Sequence, residues 1–309
     1  MAAKRASLRA GFARFGRGRV QRRQAGHKIL AHPDHLREAR VEAPRFDYPA
    51  TLAGSTAHFH VYCANVLGQP GDKVAQAVLK NCERDYQSLT GFFGQQQSLR
   101  FNIVIAPLSR QLNGKGGAYH HTCRATDLYC DVQIQPTVNP DVTSALAVAE
   151  EVEVFSAIRG GEWNCGASNG EGLSRVLAEQ LYPNVLENLG YSSAQFWLNS
   201  RRRNFVGRTL PTDLSMVGNG CAVLFLNYLH GRLGFGWDKI CKAASPTLAG
   251  TYKILTGKTA PFREFALLLE KKFPKGQRTD LATDNPFPIA RANSVAPNTG
   301  TLSDGEAHG

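Results

Sequence analysis

Three glutamates carry the most chemistry in this chain. Glu150 and Glu153 stand three apart in the run TSALAVAEEVEVFSAIR (143–159), and Glu171 follows 18 positions later in SNGEGLSRVLA. At about 100° per residue, Leu146, Ala149, Glu150, Glu153 and Ala157 share one helix face, with Val148, Val152 and Phe155 opposite. A helix that is apolar on nearly all sides is a buried one, so the two carboxylates sit inside the protein or line a cleft. Buried carboxylates are costly unless paired, hydrogen-bonded or bound to a cation. An oxygen-rich set of this kind suits Ca²⁺, Mn²⁺ or Mg²⁺. Without a cation the glutamates raise one another's pKa, and Arg175, one turn after Glu171, is a basic partner within reach.

The two segments together resemble those of the gluzincin metallopeptidases. There a buried helix carries HExxH, whose histidines hold zinc at i and i+4, and a glutamate in an Asn-(x)-Glu-(Gly/Ala)-Leu motif at a later helix start completes the ligand set. VAEEVEVF resembles the first segment and SNGEGLSRVLA the second. The resemblance implies Glu150 as general base and Glu171 as third metal ligand. It also places Ala149 where the first histidine belongs and Glu153 in place of the second, so both imidazoles of the signature are missing. GGAY, which is Gly116, Gly117, Ala118 and Tyr119, falls where such enzymes place the edge strand lining the substrate cleft. The similarity covers about residues 55–275.

Three readings follow. The first is a pseudopeptidase that binds polypeptide in the cleft and has lost its metal and its hydrolytic power. The second is an active peptide hydrolase with an atypical, carboxylate-rich metal site, holding either one of the harder cations or Zn²⁺ with His120 or His121 recruited from the edge strand. The third is an interaction or nucleic-acid-associated protein acting through a basic arm.

The elements that must position these residues are legible from periodicity. AHFHVYC (57–63), RFNIVIAPL (100–108), GGAYHHT (116–122) and DLYCDVQIQ (127–135) read as strands. Residues 70–93 read as a helix, with Val74, Val78, Cys82, Tyr86, Leu89 and Phe93 repeating at three and four and Gly71-Asp72 offering a start. Helices follow at about 142–158, 171–188, 192–199, 217–234, 236–244, 247–256 and 261–273. Strands first and helices after is the α+β order: a mixed sheet with one long helix, then a mostly helical half. The resemblance makes this zincin-like, with the site in the cleft between the halves. The expected division is a basic arm over 1–45, a domain over 46–275 with halves 46–165 and 166–275, and a loose tail over 276–309.

Charge and composition narrow the function further. Residues 1–42 hold eleven Lys/Arg and three acids, a net of +8 of the chain's +11. The remaining 267 residues carry only +3, so the charge of the body does not argue for a phosphate-binding surface, and nucleic-acid binding is an expectation for the arm alone. The arm has weak transit-peptide character and no secretory signal. No apolar run approaches the roughly 20 residues of a membrane span, so a soluble protein is expected. Arg201, Arg202 and Arg203 read as a solvated turn. None of the seven cysteines forms a CxxC pair. Cys123 and Cys130 can bridge in an oxidising compartment, and reduced, buried thiols are otherwise expected. Cys165, before Glu171, is a weak nucleophile candidate. His58 and His60 on one strand face, and Tyr182, Tyr228 and His230 on helices, read better as structural residues.

Overall fold

The computed structural model describes residues 48–94, 98–107, 117–132, 139–159, 162–186, 192–212, 214–279, 281 and 283–287. The basic arm, Gly116 and residues 288–309 lie outside them.

Strand β1 (Ala50–Ser55) pairs antiparallel with β2 (Phe59–Ala64). A tight turn, Asn65–Leu67, leads into α1 (Gly68–Phe93), three residues earlier than Gly71-Asp72 suggests. The apolar repeat of α1 is buried as its spacing requires, and Gly94 ends the helix in the left-handed conformation, φ 62°. This helix is the crossover that sets β3 (Phe101–Ala106) parallel to β2. Strand β4 (Ala118–Tyr119) and β5 (Asp127–Asp131) complete the sheet. Its order is β1-β2-β3-β5-β4, with β3 and β5 parallel and β4 antiparallel to β5. Each residue of β3 is buried, as the near-continuous apolar run of a central parallel strand demands.

The remainder is helical: α2 (Asp141–Arg159), α3 (Ser168–Leu181), α4 (Ala194–Leu198), α5 (Met216–Asn227), a wider π turn (Tyr228–Arg232), α6 (Trp237–Lys242), α7 (Leu248–Thr256) and α8 (Phe262–Lys272). The protein is thus α+β, with a mixed five-stranded sheet and a long helix followed by helices. Helix α2 packs on α1, β4 and β5, and α3 packs on both α2 and α5. Phe155 of α2 joins Tyr86, Phe93 and Phe101 in an aromatic cluster between helices and sheet.

Several expectations are corrected. Strand β1 was not anticipated, because ATLAGS carries little β-branched or aromatic character. Strand β4 is two residues long rather than the whole of GGAYHHT, since the chain turns at Thr122–Ala125 and Cys123 is bonded elsewhere. Arg202 is buried rather than solvated; it adopts φ 50° and its Nε donates to the Leu198 carbonyl at the end of α4. The stretch from 276 is not loose throughout. Asp284 accepts hydrogen bonds from the Ser193 and Ala194 amides and the Ser192 and Ser193 hydroxyls, and Phe287 packs against Tyr228.

Candidate functional site

The site forms where the end of β4 meets α2. His120 directly follows β4, and its side chain is 5 % exposed. Its Nε2 lies 3.0 Å from Glu153 Oε2 and 3.9 Å from Glu150 Oε2. Glu150 and Glu153 share a helix face, as their spacing requires. The same imidazole nitrogen lies 3.7 Å from Cys165 Sγ, which arrives from the loop between α2 and α3. Among the described residues, His120, Glu153 and Cys165 form a group whose donor atoms all lie within 4.8 Å of one another, a group able to hold a metal ion. Cys165 is not a free thiol here. It is disulfide-bonded to Cys123, with Cα atoms 5.6 Å apart. The expectation of reduced thiols therefore fails at Cys123 and Cys165, and the Cys123–Cys130 bridge considered for an oxidising compartment does not form, because Cys130 is buried in β5 with its Sγ toward the Thr143 carbonyl.

Glu171 and Arg175 face one another one turn apart on α3, 3.9 Å between Oε2 and Nε. Glu171 is the fourth residue of α3, within the first turn, where the helix dipole favours an acid. The glycines of SNGEGL answer to packing. A Cβ on Gly170 would lie 2.2 Å from the Asn164 carbonyl oxygen, and one on Gly172 would lie 2.6 Å from Ala222 Cβ of α5. The motif therefore lets α3 approach both the loop before it and α5.

Gly117, Ala118 and Tyr119 lie at the sheet edge, with Gly116 outside the described residues. The Asp131 amide donates to the Gly117 carbonyl, and Ala118 pairs opposite Cys130. In an antiparallel ladder, hydrogen-bonded and open pairs alternate. Ala118 is therefore in an open pair, and its N–H and C=O face the outer edge of β4. His121 meets the rings of Tyr119 and Tyr129 edge-on.

The sequence reading missed Glu151. It is 1 % exposed, and its Oε2 has no hydrogen-bond partner among the described residues. Burial first, then the charges of Asp85 and Glu83, push its carboxyl well above the usual range and favour its protonated form. The signal was present: Glu151 stands within the apolar stripe Val148, Val152, Phe155. Asp85 of α1, also buried, accepts from the Tyr182 phenol and from Arg84. Burial raises its pKa despite both donors, and burial and Asp85 raise that of Tyr182. A cavity of about 500 Å³ opens on this side, lined by Lys80, Arg84, Asp141 and Tyr182 among others.

The remaining candidates make local contacts. His58 pairs with Glu83 at 2.8 Å and stacks on Tyr86, and His60 meets the Ser55 hydroxyl. His230 bonds the Phe235 carbonyl and stacks on Trp237, while Tyr228 lies in the core. No helix among the described residues is long and apolar enough to cross a membrane. The chain matches no family model and no curated protein.

Proposed function

We propose that the chain is a peptidase-like domain of gluzincin type that binds extended polypeptide along the outer edge of β4 and hydrolyses it poorly or not at all. One observation carries this reading. The edge strand offers the Ala118 N–H and C=O, and His120, just after the strand, stands against Glu153 and Glu150 of the buried helix. A peptide added to that edge by main-chain hydrogen bonds would run past the carboxylates, as a substrate does in a zincin cleft. Hydrolysis there needs a metal with an open position for water. Ala149 supplies no ligand, and Glu153 is engaged by His120.

The test is fluorescence anisotropy of labelled, reduced and carboxymethylated casein with the wild type and with Ala118→Pro. Proline is tolerated on an edge strand where the N–H faces outward. The variant should therefore keep its circular dichroism and melting temperature while binding about tenfold more weakly, the loss of roughly one main-chain hydrogen bond plus steric exclusion. Equal binding by the variant overturns edge addition. The casein should remain intact on prolonged incubation.

An active hydrolase with a carboxylate-rich metal centre is the second reading, favoured by the approach of both Glu150 and Glu153 to one imidazole. Metal-dependent cleavage of the casein, lost in Glu150→Gln, would establish it over the first.

A further inference from the structure

We propose that His120, Glu153, Cys165 and Cys123 form a closed, four-donor zinc site that exists only while the Cys123–Cys165 disulfide is reduced. This goes beyond peptide binding and stands without it.

The donors are already gathered. His120 Nε2 is 3.0 Å from Glu153 Oε2 and 3.7 Å from Cys165 Sγ, and Cys123 Sγ is bonded to that sulfur. Tetrahedral zinc with ordinary bond lengths sets its nitrogen and sulfur ligands about 3.6 Å apart and its nitrogen and oxygen ligands about 3.3 Å apart. Two thiolates on one zinc stand about 3.8 Å apart. The disulfide forbids that last separation, and cleavage permits it by rotation about the Cα–Cβ bonds. With the disulfide reduced, the Glu153 carboxylate and two potential thiolates bring an excess of negative charge to one imidazole. A divalent cation resolves that excess, and thiolate with imidazole selects zinc over calcium or magnesium.

Four protein donors leave no position for water, which is the arrangement of a structural zinc site rather than a catalytic one. The site therefore accords with a centre that has lost hydrolysis. In either redox state the cysteine pair ties the chain just after β4 to the loop before α3. The oxidised link is Cys123–Cys165. The reduced link is the metal, which adds Glu153 of α2.

The conversion is a thiol–disulfide exchange with a dithiol. A thiolate of the dithiol attacks one cysteine sulfur, the Cys123–Cys165 bond breaks, and a mixed disulfide forms. The second thiol of the reductant closes on the first, and the reductant leaves as a disulfide. Two electrons and two protons have then passed to Cys123 and Cys165, which are both thiols. On binding Zn²⁺ the two thiols release their protons to solvent.

The experiment uses the full chain, metal-free, either oxidised or reduced with a phosphine that is removed under nitrogen. Each form is titrated with ZnCl₂ against a chromophoric chelator, and bound zinc is counted by elemental mass spectrometry. The reduced form should take up one zinc per chain and the oxidised form none. Co²⁺ in place of Zn²⁺ should give a thiolate-to-cobalt charge-transfer band in the reduced form alone. The double variant Cys123→Ser/Cys165→Ser should lose the metal, and Cys130→Ser should keep it. Glu153→Gln, which preserves volume, should weaken zinc by more than the roughly 10–100-fold that loss of an outer-sphere partner costs. Circular dichroism shows that each variant is folded. Absence of zinc from the folded, reduced wild type overturns the proposal, as does equal binding by the oxidised form or retention by the double variant. Casein binding is scored separately, so neither result decides the other.

Discussion

Gly170 sits against the backbone carbonyl of Asn164, so closely that a Cβ would lie 2.2 Å from the oxygen. That carbonyl also accepts from the Ala167 amide, which fixes the turn carrying Cys165 into the start of α3. Gly170→Ala must push the turn away. It should cost about 1–3 kcal/mol, the usual range for overpacking, and Gly172→Ala should do the same against Ala222. Gly91→Ala in α1 meets nothing within 4 Å and should gain about 0.4–1 kcal/mol through the unfolded state. Urea unfolding of the three variants checks the contrast.

Glu151 makes stability fall as pH rises. Its native carboxyl holds a proton well above the ordinary value of 4.5. The unfolded chain ionises near that value, so between the two pKa values the native state binds more protons. Stability is fullest below the unfolded pKa and is lost as pH rises toward the folded one. Glu151→Gln mimics the protonated group and should remove this dependence. Its melting temperature should match the wild type near pH 4 and exceed it by pH 8. Parallel curves across that range would refute the protonated state.

Tyr182→Phe should show a pH dependence of the same sign. It removes the phenol that donates to Asp85, leaving Arg84 as the remaining donor to that buried carboxylate. Asp85 already titrates above its ordinary value through burial, and the variant should raise it further. The penalty should be small at acid pH, where Asp85 is protonated, and grow to about 1.5–3 kcal/mol once it ionises. Denaturation at pH 4 and pH 8 measures the difference.

Asp284→Ala uncaps α4. One carboxylate oxygen accepts from both the Ser193 and Ala194 amides at 2.7 Å, a charged cap delivered from far along the chain. The loss should be about 1–2 kcal/mol, with Asp284→Asn intermediate because an amide oxygen accepts the same bonds without the charge. Thermal melts of both variants rank them.

The elements of the α+β order were largely legible, because α1 and α2 to α8 each carry an apolar repeat and β3 is one apolar run. The Glu150–Glu153 face was legible for the same reason. Position 151 was passed over although it stands beside Val148, Val152 and Phe155, where burial favours its protonated form. The meeting of His120 with Glu153, 33 positions apart, depends on where β4 falls in the sheet, and no local pattern encodes that. The disulfide was not foreseen, because reduced thiols were expected and the short loop made Cys130 the partner to consider for Cys123, while β5 buries that side chain in the core. Gly170 and Gly172 read as part of a ligand motif, yet their Cβ clashes show contact with the loop and with α5.

The Asp284 cap has a consequence for synthesis. Residues 194 and 284 are 90 positions apart, an interval of roughly 5–18 s at ordinary translation rates. During that interval the emerging chain presents the Ser193 and Ala194 amides without their acceptor. The sheet and α1 to α3 can assemble on the ribosome, but the start of α4 must wait for the last described turn of the polypeptide. A released chain ending before residue 284 would therefore lack the acceptor for both amides, whereas one ending just after it would supply it.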